Sequence, residues 1–386
     1  MLARRLQQIV RGPGAPNLVL AQRVIDKMAT AANQHLEDET GEAMVGFIVP
    51  PSLPNGVPTI YVLDTISPDS SAVRQFHTFQ QGDERQGDIF QWLYNNWEVQ
   101  RGRQRSGINK VFQSKWNVPL KHVGDWHKQP GYMIQPSGGD LMTALDCLED
   151  GFDFLLAPIL TLDHPTTISM AHAISNFVLV PDQDDTALRV DFWYIDRMTR
   201  IFVPIIPAIY PNDQLPELFP YPWHLEHEAL AHEEFGLMQD DGLALSITHW
   251  DADNELPLEV CVLTMRVGSD KLVILVTPHN FPKKPISARV APIVAMRDED
   301  DMQAVFEKAW AQSQPVDLPY DVSKYPTLLS YLHAVEDKLG VQRVAHGVTS
   351  EETPESESPE SSSAEEAPPA KDVEEDEDAP ETEDAS

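Results

Sequence analysis

The sequence predicts an α+β protein, and two observations lead to that prediction. In residues 17–36 the apolar side chains recur at close to a helical spacing, which is typical of an amphipathic helix. In residues 59–66, by contrast, Val, Ile and Tyr crowd a short segment that follows a Pro-, Gly- and Asn-rich stretch, which is typical of a strand after a turn. A few helices flanking a mostly antiparallel sheet account for both patterns.

The other elements of the first half follow from the same two patterns. Further helices are predicted at residues 1–14, 90–99 and 141–149, and a loop at the basic residues 101–105. Strands are predicted at residues 43–49, 59–66, 118–126, 154–160, 177–180 and 187–196. The last two strands form a hairpin around residues 182–185, since alternating apolar residues in the second indicate a half-buried strand.

A second module is predicted after a linker. Proline stands at positions 211, 216, 220 and 222, so residues 211–222 are interpreted as the linker. After it come a helix at 223–238, strands at 243–250, 258–267, 271–279 and 288–295, and helices at 298–312 and 325–339. We therefore expect a first domain at 1–210, a second α+β domain at 223–345 and a tail at 346–386.

Composition distinguishes the tail from the rest of the chain. Residues 351–386 hold sixteen Asp and Glu residues against the single Lys371, and Val373 is their one larger apolar residue. Such a segment cannot bury enough apolar surface to offset the entropy lost on ordering. We therefore expect the tail to be disordered.

Charge and cysteine content exclude several classes of partner. The net charge of −33 at pH 7 argues against binding to nucleic acid or to an anionic membrane, because both need a basic surface. The two cysteines, Cys147 and Cys261, are too few for a disulfide framework and fit a reducing compartment. The longest apolar runs contain proline and are too short to span a membrane. We expect a cytoplasmic protein.

Residues 124–141 contain the pattern that bears most directly on function. The strand predicted before it delivers His127 and Gln129 two residues apart, on one face. Ser137 and Asp140 have the spacing of a helix cap, with the Ser as N-cap and the Asp three residues on. A strand end and a helix start would thus meet where a cation could collect ligands from both.

This pattern resembles the signature of the JAB/MPN family of zinc isopeptidases, which is an upstream Glu, then His-x-His-Pro, then Ser-x-x-Asp. His127, Pro130, Ser137 and Asp140 match that signature, whereas Gln129 stands where the family has its second His. Residues 39–46, Glu-Thr-Gly-Glu-Ala-Met-Val-Gly, resemble the upstream run of bacterial members and supply Glu39. The resemblance covers about half of the chain.

The resemblance implies a cytidine-deaminase-like mixed sheet with flanking helices and a zinc site. His127, Gln129 and Asp140 would hold Zn²⁺, which Gln129 weakens because an amide oxygen is a rare ligand for zinc. Glu39 would be the general base and Ser137 would stabilise the oxyanion. Neither His122, an odd number of residues from His127 and so on the opposite side of a regular strand, nor Asp125 is assigned as a replacement ligand.

The second module resembles the RWD and ubiquitin-conjugating-enzyme superfamily. Its helix, strand meander and C-terminal helices surround a Phe-Pro-x-x-Pro turn, in which Phe281 replaces the Tyr of that superfamily and Ile286 its last Pro. A conjugating enzyme needs a Cys nucleophile soon after this turn, and the last Cys of the chain is Cys261. The resemblance therefore implies a binding module that supports assembly of a protein complex.

Two functions remain open from the sequence. The first is a zinc-dependent isopeptidase or peptidase acting on ubiquitin-like proteins or their conjugates, favoured by Glu39, His127, Ser137 and Asp140. The alternative is a non-catalytic scaffold or modifier-binding protein, favoured by Gln129 and by the missing conjugating Cys. Zinc binding discriminates between them.

Overall fold

The structure is a computed structural model that describes residues 15–76, 78–82, 84–106, 116–165, 175–181, 187–294 and 302–343. The described residues belong to one compact unit. The helix predicted at residues 1–14, the turn at 182–185 and the tail at 346–386 lie outside the described residues. Within the described ranges the protein combines helices and sheets, which confirms the predicted α+β class.

A large mixed sheet occupies the first half. Its strands are β1 Asn17–Ala21, β2 Thr40–Val49, β3 Thr59–Ile66, β6 Lys121–Lys128, β7 Phe154–Leu156, β8 Ile159–Leu162, β9 Phe177–Pro181, β10 Ala187–Asp191, β11 Trp193–Asp196, β12 Val203–Pro204 and β13 Pro207–Tyr210. Their main order is β12, β11, β7, β6, β2, β3, β1, β13, with β8 joining β6 to β10 and β9. The site strand β6 lies in the interior of this sheet, antiparallel to β2 and parallel to β7 and β8.

Helices and a hairpin surround this sheet. The helices of the first half are α1 Gln22–Gln34, α2 Glu84–Ser106 and α3 Gly138–Glu149, and the hairpin consists of β4 Val73–Gln75 and β5 Thr78–Gln80. The buried residues of α1 fall on one face, which packs against β2 and β3. The helical spacing of the apolar residues in α1 places their side chains on this one face.

The second half is built on an antiparallel sheet with the strand order β14, β15, β16, β17, β18. Its strands are β14 Leu243–Trp250, β15 Glu259–Arg266, β16 Lys271–Thr277, β17 Ser287–Pro292 and β18 Gln314–Pro315, and its helices are α4 Trp223–Glu226, α5 Glu228–Asp240, α6 Met302–Gln312 and α7 Leu328–Leu339. In the described part of the chain, no helix has both the length and the apolar character needed to cross a bilayer.

Helix α2 lies between the two sheets and contributes to one continuous hydrophobic core. Trp92 of α2 is fully buried, and its ring meets that of His249 edge-on at a centroid distance of 4.8 Å. The side-chain oxygen of Asn96 accepts a hydrogen bond of 2.8 Å from the backbone N–H of Leu258. Full burial of one large apolar side chain contributes roughly 1.5–3 kcal/mol, so this contact stabilises both halves.

The structure corrects the prediction of a helix from residue 17. Residues 17–21 form β1, which pairs in parallel with β3 on one side and β13 on the other. Leu18, Val19 and Leu20 are all buried, as in a strand covered on both faces. A continuous apolar run of this kind fits a buried strand as well as a helix, and long-range pairing decided the outcome.

Other predicted boundaries were also wrong, and the helix predicted at 223–238 is divided at His227 into α4 and α5. Residues 101–105 are helical, because α2 continues to Ser106. The strand predicted at 154–160 is two strands, since Pro158 separates β7 from β8 and lacks the backbone N–H needed for regular pairing. The strand predicted at 187–196 is likewise divided into β10 and β11, which pair with different partners.

The segment interpreted as a linker, residues 211–222, is bound to the first half. The indole N–H of Trp92 donates a hydrogen bond of 2.9 Å to the Pro220 carbonyl. The guanidinium of Arg23 donates to the carbonyl of Pro216, and the backbone N–H of Arg23 donates to the side chain of Asn212. Leu215 is buried in the common core.

Candidate functional site

The five residues singled out by the sequence pattern line one cleft of about 560 Å³. They come from three places in the fold: Glu39 directly precedes β2, His127 and Gln129 lie at the end of β6, and Ser137 and Asp140 lie at the start of α3. The structure therefore brings together residues that are up to 101 positions apart in the sequence.

The start of α3 fixes the relative positions of Ser137 and Asp140. The Ser137 hydroxyl oxygen accepts a 3.2 Å hydrogen bond from the backbone N–H of Asp140, and Asp140 Oδ2 accepts one of 2.6 Å from the backbone N–H of Ser137. This is a reciprocal capping box. The Ser137 hydroxyl acts there only as an acceptor, so its O–H can still donate to a ligand.

The end of β6 fixes His127 and Gln129 through the backbone. The His127 N–H donates to the Pro158 carbonyl at 3.1 Å, and the Gln129 N–H donates to the Leu160 carbonyl at 2.9 Å. These bonds continue the parallel pairing with β8 and bring His127 Nε2 to 3.6 Å from Asp140 Oδ1.

Burial sets the protonation state of His127. It lowers the pKa of the imidazole below its ordinary value and outweighs the opposing effect of the nearby carboxylates of Asp140 and Asp125. The ring is therefore neutral at neutral pH, and a neutral ring nitrogen is the form that binds a metal or accepts a proton.

Gln129 is one of two glutamines of the cleft lining, with Gln81, whose buried amide oxygen is unsatisfied among the described residues. The Gln129 side chain is 4% exposed, and Nε2 lies 3.5 Å from Asp140 Oδ2, which is a long hydrogen bond. Its Oε1 is buried and has no hydrogen-bond donor among the described residues. An unsatisfied buried carbonyl costs about 1–3 kcal/mol, which a cation or a ligand N–H at this position would offset.

The donor atoms fit a zinc ion only if Gln129 takes part. Two ligands of a tetrahedral zinc lie about 3.3 Å apart, close to the 3.6 Å between His127 Nε2 and Asp140 Oδ1. Within the described ranges no group of three or more His, Cys, Asp or Glu side chains is placed to hold a metal ion. The third donor would be the unsatisfied Oε1 of Gln129, a neutral and therefore weak ligand.

The β4–β5 hairpin positions Glu39 and forms one side of the cleft. The backbone N–H of Glu39 donates to the Gln75 carbonyl at 2.9 Å, and Phe79 of β5 lines the cleft. Gly41 allows the hairpin and β6 to lie close to β2. A Cβ at position 41 would lie 2.2 Å from the Trp126 carbonyl oxygen and 2.7 Å from the Phe79 ring. A side chain at position 41 would displace the hairpin.

A bulge in β6 produces a contact that the sequence reading did not find. Met44 pairs with Gly124 and Val45 with His122, so Val123 is an extra residue in the strand. His122 Nε2 consequently lies 3.0 Å from Asp125 Oδ1, although the two residues are an odd number apart. The bulge means that β6 is not the regular strand assumed when His122 is placed opposite His127, and His122 itself lines a separate depression with Tyr94 and Phe152.

Asp125 lines the same cleft as His127 and carries a stabilised negative charge. Burial alone would raise the pKa of Asp125, but the charge of His122 and hydrogen bonds from His122 and Gln81 lower the pKa overall. The Gln81 amide donates to Oδ1 at 2.8 Å. The sequence signal that points to Asp125 is its position two residues before His127, since residues two apart in a strand face the same side.

Comparisons with known proteins give no family assignment. No family model and no curated protein matches the chain. Among solved structures, a protein of Desulfitobacterium hafniense determined in solution is similar at 11% sequence identity and a TM-score of 0.29, over 50% of this chain and 93% of that chain.

Proposed function

We propose that the cleft is a hydrolytic site of the JAB/MPN type, acting on peptide or isopeptide bonds of ubiquitin-like proteins or their conjugates. One observation carries the proposal: Glu39, His127, Gln129, Ser137 and Asp140 line a single cleft. The unsatisfied Oε1 of Gln129 supports it, because that atom needs a positively charged or hydrogen-donating partner. A cytidine-deaminase-like sheet in the first half and an RWD-like second half remain part of this proposal.

In this proposal each residue has a separate role. His127, Asp140 and the amide oxygen of Gln129 would hold zinc, which would supply Lewis-acid polarisation of a substrate carbonyl and a more acidic water. Glu39 takes a proton from the attacking water and passes it to the leaving amine. The Ser137 hydroxyl, whose oxygen is fixed by the helix cap, donates to the developing oxyanion.

Cleavage of a ubiquitin-like protein with a fluorogenic amide at its C-terminus tests the proposal. We expect zinc-dependent release of the fluorophore by the wild-type protein, at least about a hundredfold slower release by Glu39→Gln, and loss of release on chelation. Glu217→Gln, a substitution of an exposed Glu outside the cleft, is the matched control. Failure of the zinc-loaded wild-type protein to cleave would overturn the proposed activity.

A non-catalytic modifier-binding function is the second candidate, and the contact between Gln129 and Asp140 favours it. The amide nitrogen of Gln129 lies 3.5 Å from Oδ2 of Asp140, and the carboxylate of Asp140 would otherwise bind the metal. In this case the cleft binds the end of a modifier without breaking a bond. Binding of the uncleaved modifier, unchanged by zinc, chelator or Glu39→Gln and without any product, would support this function.

A further inference from the structure

We propose that a cavity in the second half, here called the β16 cavity, binds a short peptide with a free ammonium group at one end and a free carboxylate at the other. The cavity has a volume of about 370 Å³, which is within the usual range of ligand pockets. It shares no lining residue with the cleft, so the inference does not depend on the proposed function.

The charged residues of the β16 cavity are separated by sign along the chain. Its three acidic residues, Asp253, Glu255 and Glu259, come from the connection before β15 and from the first position of that strand. Its two cationic residues, Lys284 and Arg289, come from the turn after β16 and from β17. The cavity therefore has an acidic side and a basic side, and a ligand that carries both charges complements it better than a ligand with one.

The sheet sets the distance between the two sides of the cavity. Cys261 pairs with Val276, and Val276 pairs with Ser287. Glu259 and Arg289 each lie two residues from one of these positions, so they face the same side of the sheet. Strand β16 runs between their strands, and two strand spacings amount to about 10 Å. A three-residue chain spans at most about 10 Å, so the charged ends of a tripeptide can reach both sides.

Ser313 and Trp310 hold Arg289 in place on the basic side. The Nε of Arg289 donates a 2.7 Å hydrogen bond to Ser313 Oγ, and its Nη2 donates one of 3.1 Å to the Ser313 carbonyl. The guanidinium carbon lies 4.5 Å from the centre of the Trp310 ring. Among the described residues no acceptor takes a hydrogen bond from Nη1, so this nitrogen can donate to a carboxylate. His279 also lines the cavity, but burial and the nearby Lys284 lower the pKa of its ring, which is neutral at neutral pH.

Two carboxyl groups are joined by a hydrogen bond on the acidic side. Oε2 of Glu259 accepts a 3.0 Å hydrogen bond from the backbone N–H of Ala252, and a further hydrogen bond joins Glu259 to Asp253. Burial, together with the charge of Asp253, raises the pKa of Glu259 to about 7, so the pair holds a proton part of the time at neutral pH. An ammonium group has three N–H donors and would replace that proton between the two carboxylates.

Four probes test the inference by isothermal titration into the full chain at pH 7 in chelator. Triglycine carries both charges, N-acetyltriglycine lacks the ammonium, triglycine amide lacks the carboxylate, and glycine carries both charges on one residue. We expect triglycine to bind at least about tenfold more tightly than each of the other three, because each of them loses a charge-assisted contact or cannot reach both sides. Triglycine amide also measures the general attraction of a cation to this acidic chain.

Substitutions then place the binding in the β16 cavity. Glu259→Gln is expected to lose the preference for triglycine over N-acetyltriglycine, and Arg289→Gln the preference for triglycine over its amide, because each removes the partner of one charged end. Glu307→Gln and Lys308→Gln, at exposed residues of α6 outside the cavity lining, are the matched controls and should keep both preferences. If Arg289→Gln fails to fold, Lys284→Gln at an exposed residue tests the same side.

The outcomes decide between a ligand with two charged ends and simpler ligands. Equal binding of triglycine and its amide would mean that the cavity attracts only a cation, and equal binding of triglycine and N-acetyltriglycine would mean that it attracts only an anion. Either result would overturn the inference, as would absence of triglycine binding or unchanged preferences in the variants of both sides. Chelator keeps zinc from the peptides and from the cleft, so none of these results depends on whether the protein is a hydrolase.

Discussion

The amide nitrogen of Gln129 lies 3.5 Å from Oδ2 of Asp140, and the amide oxygen of the same side chain is buried without a donor among the described residues. One side chain thus makes a long hydrogen bond to a carboxylate and leaves a carbonyl unsatisfied. A cation between Gln129, His127 and Asp140 would satisfy this oxygen if the amide turned it toward the cation. The chemistry of the cleft therefore depends on this residue.

Gln129→His is expected to raise zinc affinity by at least an order of magnitude. The imidazole would complete a His-His-Asp set with one position left for water, which is the usual arrangement of catalytic zinc. Even changes beyond the ligands themselves alter metal affinity by roughly 10- to 100-fold. Isothermal titration of zinc into both proteins measures the difference, and Gln91→His on the exposed face of α2 controls for adventitious binding to histidine.

The outcome of this titration also bears on the two functions. Equal and tight zinc binding by wild type and Gln129→His would mean that the amide is a competent ligand, which favours the hydrolase. Absence of binding in both proteins would mean that the surrounding cleft cannot hold zinc, and it would favour the modifier-binding protein.

Gly124→Ala is expected to lower the free energy of unfolding by at least about 2 kcal/mol, through backbone strain and overpacking. Gly124 has a φ of +131°, and a Cβ there would lie 2.0 Å from the Leu156 carbonyl oxygen. Gly87→Ala is the control, since its Cβ meets nothing within 4 Å and the residue lies in α2. Urea unfolding should show the control as stable as wild type or slightly more so, and a tolerated Gly124→Ala would contradict the bulge described here.

Acid is expected to destabilise the protein through His224 and His249, whose ring centroids are 6.2 Å apart. Burial lowers the pKa of His224 to about 3, with a smaller contribution from His249, and lowers the pKa of His249 to about 4. In the unfolded chain both titrate near 6.5, so the unfolded state binds more protons between about pH 4 and 6.5. Stability therefore falls as pH drops through that window, by at most about 1.4 kcal/mol per pH unit for each histidine.

Urea unfolding at a series of pH values measures this slope. His249→Gln removes one of the two titrations and should make the dependence shallower, whatever its effect on stability at pH 7. His232→Gln on the exposed surface of α5 should leave the slope as it is in wild type. A slope unchanged by His249→Gln would show that this histidine is not buried in its neutral form.

Removal of residues 347–386 is expected to leave the melting temperature of the remaining chain within about 2 °C of the full-length value, because a segment that buries little apolar surface contributes little to the core. The expectation comes from composition alone, namely sixteen acidic residues and one lysine in residues 351–386. Differential scanning calorimetry of the two proteins provides the comparison. A large fall in melting temperature would mean that the tail docks on the rest of the protein.

Local patterns predicted some elements well and others poorly. Strands β3 and β14 have the bounds predicted from the sequence, since each is a short β-rich segment bounded by turn residues. The sequence predicts a helix where β1 lies, because this strand depends on partners far along the chain, for example the pairing of Leu18 with Ile60 and Pro207. The intrinsic strand or helix propensity of a residue carries no information about its distant pairing partners.

The candidate site was likewise predicted only in part from the sequence. A motif comparison predicted that Glu39, His127 and Asp140 would meet, because the spacing of these residues is itself the signal. The contact of Asp125 with His122 depends on the bulge. A bulge leaves no pattern in consecutive residues, so this contact could be found only from the fold.

Helix α2 couples the unfolding of the two halves. Trp92 and Asn96 on that helix belong to the core of the first half and at the same time contact His249 and Leu258 of the second. A fragment that ends at residue 210 would expose part of this shared surface and lose the hydrogen bond to Leu258. The two halves are therefore expected to unfold in one cooperative transition.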